Sequence, residues 1–261
     1  MSYDHLLYVK KLKRTNNLIK LTQVAILLFF FVLWEISANL RWIDPFIFSS
    51  PTRMFNTFIS MVRNKTLFPH IGVTLGETFL GFIISTLLGI LISIALWFSE
   101  FLRKALNPYL VVLNSLPKTA LAPIIIVWVG NNVKSVIVTA VLTSIIVTII
   151  SVLTGFLEVD NEKIKLVQSF GGTKIQVLTK VVLPASIPTM ISALKINIGL
   201  SLVGVMVGEF LVARRGLGYL IVYGSQVFRM DLVMLSIIIL CILAALMYKA
   251  VVYVENKVSR Y

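Results

Sequence analysis

Residues 78–99, TFLGFIISTLLGILISIALWFS, run 22 positions without one charged side chain. An α-helix rises 1.5 Å per residue, so about 20 apolar residues reach across the hydrocarbon core of a bilayer. A second uncharged stretch, residues 135–157, SVIVTAVLTSIIVTIISVLTGFL, is one residue longer. In lipid only a helix satisfies every backbone group within such a segment, so these runs read as transmembrane helices. Composition agrees: of 261 residues, 58% are hydrophobic and 13% charged, about half the charged share of an ordinary soluble domain. A water-soluble globule is excluded, and the chain reads as an all-α, polytopic membrane protein.

Working outward from these runs, six spans are expected at approximately residues 21–40, 72–98, 107–129, 133–156, 185–211 and 232–254. They form a single transmembrane domain over residues 1–261, with an N-terminal cytoplasmic segment, 1–20. That segment carries Lys10, Lys11, Lys13, Arg14 and Lys20, and the apolar run after it lacks a small-residue cleavage site, so it reads as a retained first helix. With the N-terminus inside, fourteen Lys and Arg residues, from Lys10 to Arg260, fall in cytoplasmic segments and eight outside. This positive-inside bias predicts both termini in the cytoplasm. It also accounts for the net charge of +13, which in a soluble chain would suggest nucleic acid. One cysteine, Cys241, excludes a disulfide framework and a CxxC site.

Two connections exceed simple turns. In residues 51–63, Met54, Phe58, Met61 and Val62 recur at helical spacing, predicting a short amphipathic helix along the outer interface. In the cytoplasmic loop 157–184, Lys163 to Phe170 forms two helical turns with Leu166, Val167 and Phe170 as an apolar edge beside Lys165. Gly171-Gly172 then permits a sharp reversal. A second helical stretch from Lys174 to Leu183 meets Pro184, which suits the first turn of the fifth span. The result is a helical hairpin whose apolar side chains another protein receives in a groove, or which rests at the lipid interface.

Charged groups within spans are costly enough to suggest function. Pro117 and Pro123 are expected to break the third span, freeing carbonyls to line an aqueous path with Asn114, Ser115 and Lys118. Lys195 and Glu209 lie fourteen positions apart on the fifth span, about 40° apart around a helix and roughly 21 Å along it. Their shared face is expected to line a central cavity, with Glu77 as a further pathway residue. Interhelical hydrogen bonding is the competing role for Asn114 and Ser115. Gly204 and Gly208 form a small-xxx-small pair that admits a neighbouring helix.

The two histidines, His5 and His70, form no HExxH pattern, and no glycine is followed by lysine, so the GxxxxGK[ST] nucleotide loop is absent. Neither metal chemistry nor ATP hydrolysis is expected of this chain. Three membrane classes remain: a permease working with a separate engine, an ion-coupled secondary carrier using Glu77, Lys195 and Glu209, and a structural scaffold.

Gly171, nine intervening residues, then Val181-Val182-Leu183-Pro184 and Ala185-Ser186-Ile187-Pro188 resemble the signature loop of permease subunits in binding-protein-dependent ABC importers. The resemblance runs over roughly residues 35–255. It includes Leu116 to Pro123, Trp128-Val129-Gly130, Leu194-Lys195, Gly208-Glu209-Phe210 and Gly216-Leu217-Gly218-Tyr219, and is strongest to the nitrate, sulfonate and taurine branch. It implies the type I importer permease architecture and a multi-pass plasma-membrane location. It also implies a coupling role for Lys165, Leu166, Val167, Phe170, Gly171, Gly172, Leu183 and Pro184. The implied partners are a cytoplasmic ATPase dimer carrying ATP and Mg, an extracellular substrate-binding protein, a second permease copy and membrane lipid; no nucleic acid is implied, and no cofactor is held by this chain. An acidic residue and two alanines are usual in such loops where this chain has Lys165-Leu166-Val167. Arginine is common near positions occupied here by Glu77 and Lys195. The solute is a sulfonate, taurine or nitrate type, or alternatively a pyrimidine precursor of thiamine or another small heterocycle.

Overall fold

The computed structural model describes residues 3–258, and Arg260, counted above among the cytoplasmic cations, lies outside them. The chain is helical throughout: α1 (Tyr3–Asn39), α2 (Pro45–Phe48), α3 (Pro51–Arg63), α4 (Leu67–Phe98), α5 (Glu100–Ser115), α6 (Lys118–Val129), α7 (Val133–Leu157), α8 (Asn161–Ser169), α9 (Lys174–Val177), α10 (Leu183–Val212), α11 (Leu217–Gln226) and α12 (Met230–Val258). Among the described residues five helices are long and apolar enough to cross a membrane, or six if the bent pair α5–α6 counts as one span.

That pair is the third expected span, broken as its prolines predict. Residues 107–129 do not form one helix: α5 and α6 meet at 96°. Leu116 takes extended backbone before Pro117, as the clash between a proline ring and its predecessor requires. Pro123, by contrast, sits inside α6 without ending it, so one proline makes the break.

The centre is α7, packed between α4 and α10. Lipid tails are as apolar as leucine, so helices in a bilayer associate through close contact and not through expulsion of water. Small residues supply that contact. A Cβ on Gly81 would lie 2.7 Å from the Ala140 Cβ, and one on Gly204 would lie 2.5 Å from the Ala140 Cα. Gly208 meets Val136 and Gly89 meets Thr148 in the same way. The close approach expected of Gly204 and Gly208 is therefore toward α7 of the same chain. The hydroxyls of Thr139, Thr143, Ser144 and Thr148 on α7 bond back to carbonyls four residues earlier, which removes them as unsatisfied groups in lipid. Bonds between helices add direction: Asn197 on α10 donates to Thr86 (2.7 Å) and Ser85 on α4, and Ser93 donates to the Ile149 carbonyl.

Helix α3 forms where the amphipathic pattern predicted, with Ser50 capping it and Pro51 in its first turn. Its Met54 and Thr57 are buried, and Met61 and Val62 pack on a cluster built from Leu67, Leu202, Leu217 and Leu232. Much of the apolar face thus receives protein, whereas Phe55 and Phe58 stay exposed. At the opposite end of the bundle α8, α9 and the following π-helical turn, Leu178–Val182, close over Val152 and Phe156 of α7. Proline lacks the N–H of a regular helix and its ring crowds the preceding turn. The wider turn just before Pro184 absorbs both effects, so residues Lys174–Val212 run as one span-forming unit of 39 residues.

Because Gly72 has nothing within 4 Å of an added Cβ while Gly204 meets Ala140 backbone, alanine should act oppositely at the two sites. In detergent-solubilised protein, Gly204→Ala should lower thermal stability by about 1–3 kcal/mol through overpacking. Gly72→Ala should leave it unchanged or raise it by up to about 1 kcal/mol through helix propensity.

Candidate functional site

Three regions stand out, one at each end of the bundle and one at the α5–α6 bend. At the end away from α8 and α9, Glu209 near the close of α10 is 1% exposed. Its Oε1 accepts the Thr74 hydroxyl of α4 (2.7 Å), and its Oε2 accepts the Gly218 N–H of α11 (2.6 Å). Thr74 Oγ1 in turn accepts the Leu217 N–H (2.8 Å), and His70 Nδ1 accepts the Gly216 N–H (3.0 Å). The turn can wrap this closely because Gly216 has φ +117° and a side chain on it would overlap the Glu209 carboxylate. The His70 ring stacks on Tyr219, which stacks on Tyr223. The arrangement is a latch tying α4, α10 and α11.

This geometry corrects the expected shared cavity face. Glu209 turns into the latch, and Lys195 turns to α12, where its ammonium pairs with Glu255 at 2.6 Å. Two residues on one helical face are thus taken up by two different neighbours. Glu77 is also buried, 4% exposed, with its carboxyl against that of Glu209. It lines a cavity beside the latch, which Lys195 does not.

Asn114, Ser115 and Lys118 gather at the bend. Lys118 Nζ reaches Asn114 Oδ1 at 3.4 Å, and the Ser115 hydroxyl donates to the Val111 carbonyl. Asn114 and Ser115 are exposed in the single chain and Lys118 is half-buried. The bend leaves this polar face uncovered by the rest of the protomer.

In the hairpin, Gly171 takes φ +78°, the left-handed conformation that favours glycine. Gly172 is needed for space, since a Cβ there would lie 2.7 Å from the Val167 carbonyl oxygen. Thr173 and Gln176 form a reciprocal capping box that starts α9. Phe170 is 84% exposed, Ile175 65% and Leu166 57%. Lys165 and Pro184 are exposed too. Val167, expected on the apolar edge, instead packs inward with Leu183 on the Val152 and Phe156 cluster; the two hold the hairpin while Leu166, Phe170 and Ile175 project from it. Ile175 was missed because its exposure depends on how α9 is set by the turn. Thr74 and Gly218 were missed because their acceptor, Glu209, was read as facing water, and His70 because its partner is the backbone of Gly216. The paired glycines eight residues or so after Glu209 were the available signal.

Glu209→Ala would leave the Gly218 N–H and Thr74 hydroxyl without their acceptor. It should cost about 2–4 kcal/mol of thermal stability in detergent. Lys195→Ala, at a partly exposed ion pair, should cost about 1 kcal/mol or less.

Comparison with known proteins bears on this geometry. The chain is 30% identical over 225 residues to the formylaminopyrimidine transport permease protein ThiX of Halalkalibacterium halodurans, covering 86% of this chain and 89% of that one. It is 26% identical to the taurine transport system permease protein TauC of Escherichia coli, covering 82% and 80%. Its fold is similar to inward-facing conformations of the MetNI methionine ABC transporter, with TM-score 0.66, 21% identity, and coverage of 74% of this chain and 95% of that one. Residues 85–260 match the family described as binding-protein-dependent transport system inner membrane component. With two thirds of its length matched and a multi-pass helical bundle to carry the match, the chain belongs to that family, as an ABC importer permease subunit.

Proposed function

We propose that this permease forms the translocation pathway for a small, nitrogen-bearing solute, driven through its α8–α9 hairpin by a separate ATPase. The observation that carries the engine part is the exposed apolar patch of Leu166, Phe170 and Ile175. Three large apolar side chains project from a capped and tightly turned hairpin, with Lys165 beside them. Such a display matches a helix received in a groove. In this reading the hairpin and both termini lie in the cytoplasm. Each of two permease copies then docks one hairpin on one subunit of an ATPase dimer holding ATP and Mg. A substrate-binding protein delivers solute from outside. Closing of the ATPase draws the hairpins together, and the rigid Lys174–Val212 unit carries the motion to the latch end. Asn114, Ser115 and Lys118 face the water path between the two copies.

The solute class draws support from two relatives. One is named for formylaminopyrimidine and the other for taurine, and both molecules carry N–H donors. A simple sulfonate or nitrate does not. Of the two kinds, the amino-heterocycle is favoured by the higher identity and by the acidic side chain, Glu77, in the cavity at the latch end.

Side chains that touch nothing inside the protein can be changed without unfolding it. Phe170→Ser with Leu166→Ser should therefore reduce co-purification of the ATPase at least tenfold while leaving the melting temperature within about 2 °C. Lys165→Glu should weaken the same assembly, and a reciprocal charge change on the ATPase should restore it. Undiminished assembly of both variants contradicts docking at this patch. Gly171→Val, strained by its positive φ, should leave ATP hydrolysis running without transport. Cysteines at 114, 115 and 118, in protein lacking Cys241, should react with water-soluble thiol reagents and change reactivity when ATP binds. Protection in every state would assign these residues to packing.

A further inference from the structure

A cavity of about 380 Å³ opens beside the latch, between α4, the α6–α7 turn and the α10–α11 turn. Its wall combines valines with the polar side chains of Glu77, Asn131, Asn132, Arg214 and Arg215. That volume lies at the small end of ligand pockets and admits one heterocyclic ring or a chain of a few heavy atoms. An apolar wall with a few converging polar groups is the usual composition of such a pocket.

Glu77 is the unusual member. It is 4% exposed, and its Oε2 has no hydrogen-bond donor among the described residues. The neighbouring Glu209 is fully engaged, one oxygen with Thr74 and the other with Gly218. Thus the protein directs two backbone and hydroxyl donors to Glu209 and none to Glu77. Buried polar atoms in native structures almost always have a partner, and the residue that carries this one lines the cavity. No guanidinium is spent on it either: Arg214 and Arg215 make no ion pair among the described residues and stand exposed at the rim.

We propose that this cavity is a recognition subsite for a small solute bearing an N–H donor, with Glu77 as the acceptor. The donor, an amino group on a pyrimidine or an ammonium, bonds the Glu77 carboxyl at the deep end. Asn131 and Asn132 offer amide groups to the ring or chain, and the two arginines meet the solute's acceptor or anionic end at the rim. The subsite relies on the permease reading only for the source of its ligand, since binding here needs no ATPase.

The test uses the full chain in lipid nanodiscs and isothermal titration. The amine-bearing probes are 4-amino-2-methylpyrimidine and taurine, and their counterparts without the nitrogen donor are 2-methylpyrimidine and ethanesulfonate. Wild type should bind one or both amine-bearing probes about tenfold more tightly than the counterpart, the span expected of one hydrogen bond. Glu77→Leu removes the acceptor at similar size and should erase that preference. Val73→Phe, which fills the cavity from its apolar wall without altering Glu77, should abolish binding. Each variant is compared at an unchanged melting temperature. Equal binding of probe and counterpart, no binding of either amine by wild type, or a preference that survives Glu77→Leu or Val73→Phe would overturn the subsite and leave Glu77 as a structural neighbour of Glu209. None of these outcomes alters the hairpin assembly measurement, so failure of the subsite and failure of the docked engine are told apart.

Discussion

Ala140 is held between Gly81 and Gly204, and the rest of the bundle depends on that contact. A side chain larger than hydrogen at either glycine would overlap the alanine, so three helix backbones approach as closely as α-helices can. This is the packing that a bilayer rewards, because apolar side chains gain little from leaving lipid for protein. Once α4, α7 and α10 are fixed at this depth, their hydroxyls face one another. The Asn197, Thr86 and Ser85 bonds and the Ser201 to Ser144 bond then set the rotation of each helix. The helices further out are held less closely. Helix α1, from Lys10 onward, is almost wholly exposed, as a peripheral helix turned to lipid would be.

From the same constraint comes a mechanical link between the two ends. The unit Lys174–Val212 is roughly 58 Å long at helical rise. It begins in the hairpin, is gripped near its middle by α7, and ends at Glu209 in the latch. A displacement at α9 is therefore delivered to the turn containing Gly216 and Gly218, and to the cavity beside it, without passing through a flexible loop. The π-helical turn before Pro184 is the one irregularity on the way. Leu178 and Val182 pack it against α7, as the proposed coupling requires.

Much of this was legible in the sequence, for reasons that differ by element. The spans were legible because a charge-free run of helical length has no other stable place. The hairpin was legible because two adjacent glycines between helical patterns admit few alternatives, and the break near residue 117 because proline excludes its predecessor from the helix. The assignment of Lys195 and Glu209 to a common cavity failed because a helical wheel gives direction around one axis and no information about which neighbour stands there. Glu255 waits for Lys195 on a helix sixty residues further along the chain, and Glu209 is claimed by the turn that directly follows it. Glu77 illustrates the same limit in reverse. Its place within a span suggested a pathway residue, and only the placement of Glu209 and the α10–α11 turn shows it as a buried carboxyl lining a cavity.

The account stands on this chain being the pathway of an ATP-driven importer and not a carrier complete in itself. The most direct measurement is solute accumulation in proteoliposomes containing the permease, with its ATPase enclosed, its binding protein outside, and ion gradients collapsed by ionophores. The account predicts accumulation that requires ATP, the ATPase and the binding protein together, and that continues when no ion gradient remains. Accumulation by the permease alone, driven by a sodium or proton gradient and indifferent to ATP, would contradict it.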